Sequence, residues 1–183
     1  MAPKGLDVML DIETLSTRPD ALVLSIGAML FSCDAVDGPV FGPSFFVVPS
    51  LLEQVMIGRH VDQKTQEFWQ KQPREASDHW AGPNVVSQMV REALLGLTEF
   101  VKDRPRVWAN GIVFDIGILE SLYRSQLMEP PWKYNAPRDA RTFYDTNESM
   151  RPKLPVEADL IPHHPIADCR LQINRLWEHG WSK

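Results

Sequence analysis

Cysteine is nearly absent from the chain: Cys33 and Cys169 are the only two, and they form no Cys-x-x-Cys pair. Neither a disulfide framework nor a thiolate zinc site can be read from them, and two reduced thiols remain. Long apolar runs are missing as well. No stretch approaches the roughly 18 apolar residues needed to cross a bilayer, and the opening Met1-Ala2-Pro3-Lys4-Gly5 lacks the apolar core of a signal peptide. The expectation is a cytoplasmic protein with no membrane partner. Positive charge is also in short supply, with 19 Lys and Arg against 24 Asp and Glu and a net charge of -5. That balance argues against a protein that coats nucleic acid, which draws on many basic side chains. It leaves room for an enzyme whose carboxylates hold cations, because the cations supply positive charge where a phosphate sits. No internal repeat and no low-complexity tract appears.

What is present is an ordinary globular composition, 44% hydrophobic and 23% charged over 183 residues. This suits one α/β domain over residues 1–183 and is short for two. Apolar runs predict strands at Asp7 to Thr14, Leu22 to Phe31 and Ser44 to Val48, joined by short loops in an antiparallel meander. Asp62 is a plausible N-cap for a short helix over 63–71 that stops near Pro73. Helical spacing of Val86, Met89, Val90, Ala93, Leu94, Leu97 and Val101 predicts a long amphipathic helix from Val85 to Lys102. A short strand at Arg106 to Ala109, a helix from Asp115 to Gln126 and a last helix from Ile166 to Glu178 follow. Residues 129–162, rich in proline and poor in periodicity, read as a long, partly mobile segment.

Asp11 and Glu13 stand two apart on the first strand, so their side chains leave on one face. Asp115 sits at a strand-to-helix junction, and Asp168 near the start of the last helix follows His163 by five residues. Each acid has an ordinary explanation when taken alone: a solvated strand end, a helix N-cap, an early-helix acid favoured by the macrodipole. The set is more informative than its members. An Asp-Ile-Glu-Thr strand, an Asn-x-x-x-Phe-Asp junction and a His-x-x-x-x-Asp helix start occur in this order at distances that suit one domain.

In these motifs the chain resembles the DEDDh exonucleases, a family that includes proofreading subunits and oligoribonucleases, over roughly Asp7 to Trp177. Trp108-Ala109-Asn110-Gly111, Phe114-Asp115 and Arg138-Asp139-Ala140-Arg141-Thr142 look most like a small branch with a mycobacterial exoribonuclease and phage exodeoxyribonuclease-like proteins. The resemblance implies a ribonuclease H-like α/β fold: a mixed sheet with three antiparallel N-terminal strands and flanking helices. It also implies a 3'-5' exonuclease in which Asp11, Glu13, Asp115 and Asp168 hold two Mg²⁺ or Mn²⁺ ions about 4 Å apart. Oxygen ligands favour these hard ions over zinc. His163 is the implied general base. His164 stays open as an alternative, since it stands four residues before Asp168, where another branch of the family carries tyrosine. Thr14, Leu15, Asn110, Arg138 and Arg141 are the implied substrate contacts, and the partners are RNA or DNA 3' ends. A homodimer is compatible with the sequence. The competing readings are a ribonuclease H-like endonuclease and a non-catalytic nucleic-acid-binding protein on the same fold. The first would not need a free 3' end, and the second would be expected to have lost an acid.

Overall fold

The computed structural model describes residues 6–155 and 160–182. Met1 to Gly5, on which the reading of the chain's start rests, and part of the proline-bearing segment lie outside them. Five strands form one sheet in the order β3-β2-β1-β4-β5. The first three, β1 (Asp7–Thr14), β2 (Val23–Ser32) and β3 (Val40–Val47), pair antiparallel, as the apolar runs predict. Then β4 (Val107–Ala109) and β5 (Pro137–Asp139) join in parallel on the other side of β1. Chain between the strands supplies α1 (Leu51–Met56), α2 (Gln63–Lys71), α3 (Asp78–Ala81), α4 (Val90–Val101) and α5 (Asp115–Ser125). After β5 come α6 (Ala140–Thr146) and α7 (Pro165–Glu178).

The period-2 alternation of β1 divides the molecule. Val8, Leu10 and Ile12 enter the larger core with Leu94 and Leu97 of α4 and Leu119 and Leu122 of α5. Met9 points the other way, into a second core with Ala140 and Tyr144 of α6 and Ile173 and Leu176 of α7. Asp11 and Glu13 share the face of Met9, so the sequence's acidic pair looks toward α7. Truncating a side chain such as the fully buried Leu97 costs about 2–5 kcal/mol, since it leaves a cavity in close-packed surroundings.

One glycine governs how closely α7 approaches. Gly27 pairs with Asp11 across β1 and β2, and a Cβ at Gly27 would lie 2.5 Å from Pro165 Cβ and 2.9 Å from the Pro165 carbonyl carbon. The start of α7 therefore rests directly on bare backbone beside Asp11. Gly27→Ala is expected to push this helix start outward, lowering both melting temperature and turnover by displacing Asp168. A variant with wild-type turnover would show that the close approach is not needed.

Two expectations need correction, and one ordinary explanation is set aside. The predicted helix from Val85 is shorter, because α4 begins at Val90, where Glu53 Oε2 accepts its first N–H at 2.6 Å. Val86 and Met89, counted as core, are 84% and 53% exposed. The segment 129–162 is not featureless: it carries β5 and α6, and Asp139 caps α6 by accepting from the Thr142 N–H at 2.7 Å. Asp115 is not an N-cap. Phe114 holds that place, and Asp115 is the first helical residue, 4% exposed.

Candidate active site

Three elements bring the four acids together. Asp11 and Glu13 come from the C-terminal half of β1, Asp115 from the start of α5 after the parallel strand β4, and Asp168 from the first turn of α7. They line a cavity of about 360 Å³ that also takes in Asn110, Phe114, Arg141 and His163. Its place beyond the C-terminal ends of β1 and β4 is where open α/β sheets present ligand sites. Asp115 is tied to β1 by the Ile12 N–H, which donates to its Oδ1 at 3.3 Å. At the same edge the Asp139 carboxylate accepts from the Ile112 N–H at 2.8 Å, fixing the loop between β4 and α5.

Burial and mutual repulsion dominate the electrostatics of the cluster. Burial, then repulsion from Asp115, Glu13 and Asp168, holds the Asp11 carboxyl well above the usual carboxylate range, while a hydrogen bond from Gln172 works the other way. Burial together with Asp168 and Asp115 pushes Glu13 up to about 9. Burial raises Asp115 to about 7 against the opposing bonds from backbone N–H groups. Asp168 is raised by burial too, with His163 opposing. Glu13, His163 and Asp168 each offer a ligand atom, and these atoms lie within 4.8 Å of one another. The residues present fit a divalent cation: the donors are mainly carboxylate oxygens, and the charge they lack is positive.

His163 and His164 part company here. His163 has φ +61°, in the left-handed region, and this turn brings its Nδ1 to 3.9 Å from Glu13 Oε1 at the cavity wall. His164 caps α7 instead, its Nδ1 accepting from the Ile166 N–H at 3.2 Å. Its ring stacks on Phe46 at 5.1 Å and lies 4.7 Å from His79. Burial lowers the pKa of His164, and burial with the two neighbouring histidines lowers that of His79 to about 4.

Of the implied substrate contacts, Asn110 and Arg141 line the cavity, and the Arg141 guanidinium donates to the Asn110 carbonyl at 2.9 Å. Thr14 is buried, and its hydroxyl donates to the Ser16 carbonyl, but it borders an adjoining cavity. Leu15 and Arg138 are placed elsewhere. Leu15 packs against Leu22, Leu24 and Trp69, and Arg138 turns back onto the Asn135 and Pro137 carbonyls of its own loop at 2.7 and 2.8 Å. The motif search passed over Gln172 and Arg175. Gln172 donates to Asp11 Oδ1 at 2.7 Å, and Arg175 lines the cavity. Their signal was helical spacing, since both lie on the face of α7 that carries Asp168.

The profile of the 3'-5' exoribonuclease Rv2179c-like domain matches residues 6–181, nearly the whole chain and all of these groups. The chain belongs to the Rv2179c-like exoribonuclease family. That family is described as one of 3'-5' exoribonucleases. Among curated proteins none matches it in sequence. Solved structures of exonuclease I share its ribonuclease H-like fold. An E. coli exonuclease I complex with single-stranded DNA in a zinc-bound form superposes with TM-score 0.65 at 11% identity, over 96% of this chain and 40% of that one. The moderately thermophilic exonuclease I of Methylocaldum szegediense gives 0.57 at 16% identity, over 96% and 41%. E. coli exonuclease I bound to a dT13 oligonucleotide gives 0.63 at 9% identity, over 95% and 40%. The Rv2179c-like chain thus spans about two fifths of the length of these exonucleases. Among its described residues no helix is long and apolar enough to cross a membrane.

The raised carboxyls have a consequence for the metal-free protein. Glu13 and Asp115 hold protons in the folded state to about 9 and about 7, well above their unfolded values, so their stabilising contribution is complete below pH 4 and is lost as pH rises through those folded values. His79 and His164 act in the opposite sense, since their lowered folded values let stability rise up to the unfolded value of about 6.5. Above pH 6.5 the raised acids, and towards pH 9 the raised Cys169 thiol, set the trend in the same direction. In a chelator, the melting temperature is expected to fall between pH 7 and pH 9, and added Mn²⁺ should remove that fall. A flat chelator profile would mean that the cluster is not strained by its own charge.

Proposed function

We propose that the chain removes mononucleotides from the 3' end of single-stranded RNA or DNA with the help of two divalent cations, Mg²⁺ or Mn²⁺, held by Asp11, Glu13, Asp115 and Asp168. The observation that carries this reading is the four-acid cluster itself, partly buried, raised in pKa and walled by a histidine. When bound, the cations supply positive charge for the phosphoryl oxygens and lower the pKa of water.

The chain's own groups do the rest. Asp11 and Glu13 offer their oxygens from one strand face, and Asp168 and Asp115 close the set from α7 and α5. Gln172 fixes the rotamer of Asp11 through its 2.7 Å bond. His163 takes the proton from the attacking water, a role that suits an imidazole near neutral pH. The proton goes to His163, the water oxygen bonds to phosphorus, and the bond to the 3'-oxygen of the preceding nucleotide breaks, that oxygen taking a proton from solvent water to become the new 3'-hydroxyl. Both nucleic acids stay in the proposal: the family's description names a ribonuclease, and the exonuclease I neighbours hold single-stranded DNA.

The test is a 5'-labelled oligomer ending in a free 3'-hydroxyl against the same oligomer ending in a 3'-phosphate. The free end should give a descending ladder of single-nucleotide steps, and the blocked one should be degraded much more slowly. Equal rates, or internal cuts without a ladder, would favour the endonuclease reading.

A further inference from the structure

Glu13, Phe114 and His163 line both the acidic cavity and a second one of about 600 Å³, so the two adjoin along a common wall that carries one of the four acids. Their chemistry differs. The second cavity is walled by the aromatic rings of Phe68 and Trp69 on α2, with Asp62 and Lys64 of opposite charge beside them. The acidic cavity instead holds two arginines from different helices, Arg141 of α6 and Arg175 of α7, neither of which lines the second. Each is held by a neutral partner. Arg141 donates to the Asn110 carbonyl, and the guanidinium of Arg175 lies 4.3 Å over the ring of Tyr144. Among the described residues neither forms an ion pair within 4.0 Å.

Balancing the acids accounts for only part of this. Arg141 does lower the pKa of Asp115, yet Arg175 is not among the main charges acting on Asp11, Glu13, Asp115 or Asp168. Arg175 is exposed at the cavity wall in a chain of net charge -5, with its planar fork of donors free for an anion. A strand end is asymmetric in the same way as the groove. Its 3'-terminal nucleoside ends in a hydroxyl and needs apolar walls for the base, whereas the body of the strand brings a further phosphate with every nucleotide.

We propose that Arg141 and Arg175 form a subsite for the internucleotide phosphate next to the scissile linkage on its 5' side, with the 3' end directed toward Phe68 and Trp69. The subsite rests on the exonuclease reading and sets a direction for the strand and a minimum useful length. A dinucleotide linked by the scissile phosphate alone cannot occupy it, and a trinucleotide can.

The experiment compares a trinucleotide with two natural linkages and one whose 5'-side linkage is a neutral methylphosphonate, the scissile linkage being natural in both. Wild-type protein should prefer the charged substrate by about tenfold in kcat/KM, mostly through KM, as for one charge-assisted contact. Arg175→Ala should lose most of that preference, Arg141→Gln part of it, and Arg175→Lys should recover some, because Lys keeps the charge without the fork. Salt dependence gives a second readout: the slope of log kcat/KM against log salt should shrink by about 0.7 in Arg175→Ala. The subsite is overturned if wild-type protein cuts both trinucleotides equally, or if both arginine variants keep the full preference while slowing both substrates by one factor. If wild-type protein releases mononucleotides from neither, the exonuclease reading itself falls.

Discussion

Asp11→Asn is expected to abolish hydrolysis and at the same time to raise the melting temperature of the metal-free protein. The two effects come from one cause. Burial and the neighbouring Asp115, Glu13 and Asp168 oppose a negative charge on Asp11, so in the absence of cations a neutral amide of the same shape removes the cost of ionising it. With cations present, the exchange removes a charged ligand at the centre of the cluster. Loss of an outer partner of a metal ligand alone costs about 10–100-fold in metal affinity or activity, and loss of the ligand should exceed that. Asp168→Asn should behave alike but less strongly in its melting, because His163 already offsets part of its shift. Parallel measurement of turnover and of melting in chelator checks both. An Asp11→Asn protein that is inactive and also less stable in chelator would point to a structural acid.

His163→Ala should reduce turnover by about 10² to 10⁴, the range for loss of a general base, with little change in melting. Its ring is 37% exposed, and its edge-on neighbours Phe68 and Trp69, at 5.3 and 5.7 Å, stay packed on each other without it, so the loss of packing is small. His164→Ala should show the reverse pattern. It removes the acceptor for the Ile166 N–H and the ring stacked on Phe46, so melting falls, while turnover stays within a few-fold of wild type. If the two patterns are exchanged, the general base is His164 and the spacing of five residues before Asp168 misassigns it.

Much of this site was legible before any coordinates, because its acids lie where short-range rules are strong. The pair Asp11 and Glu13 is a matter of strand period alone, and Asp62 caps α2 as its residue type predicts, accepting from the Thr65 N–H at 3.1 Å. The three N-terminal strands are long and apolar enough to be seen one by one. What escaped was set by tertiary contact or by brevity. The strand β5 has three residues and α6 has seven, too few for a period to emerge, although Asp139 followed by Thr142 is a capping signal in retrospect. Ser50 and Glu53 at the start of α1 form a similar pattern, but Glu53 spends its carboxylate on the Val90 N–H of α4. Arg138 and Arg141 look equivalent in sequence, and only the fold separates the one folded on its own loop from the one at the acids. Leu15, an implied substrate contact, is half-buried against the cluster of Leu22, Leu24 and Trp69, a neighbourhood that no local pattern announces.

The most direct measurement takes one 5'-labelled single-stranded oligonucleotide in linear and in circularised form, each with Mn²⁺ or Mg²⁺ and with chelator. The account predicts a ladder of single-nucleotide steps from the linear form only, in the presence of a divalent cation only, and none from Asp11→Asn. Cleavage of the circle at a rate comparable to that of the linear form, or a ladder that persists in chelator, would contradict it.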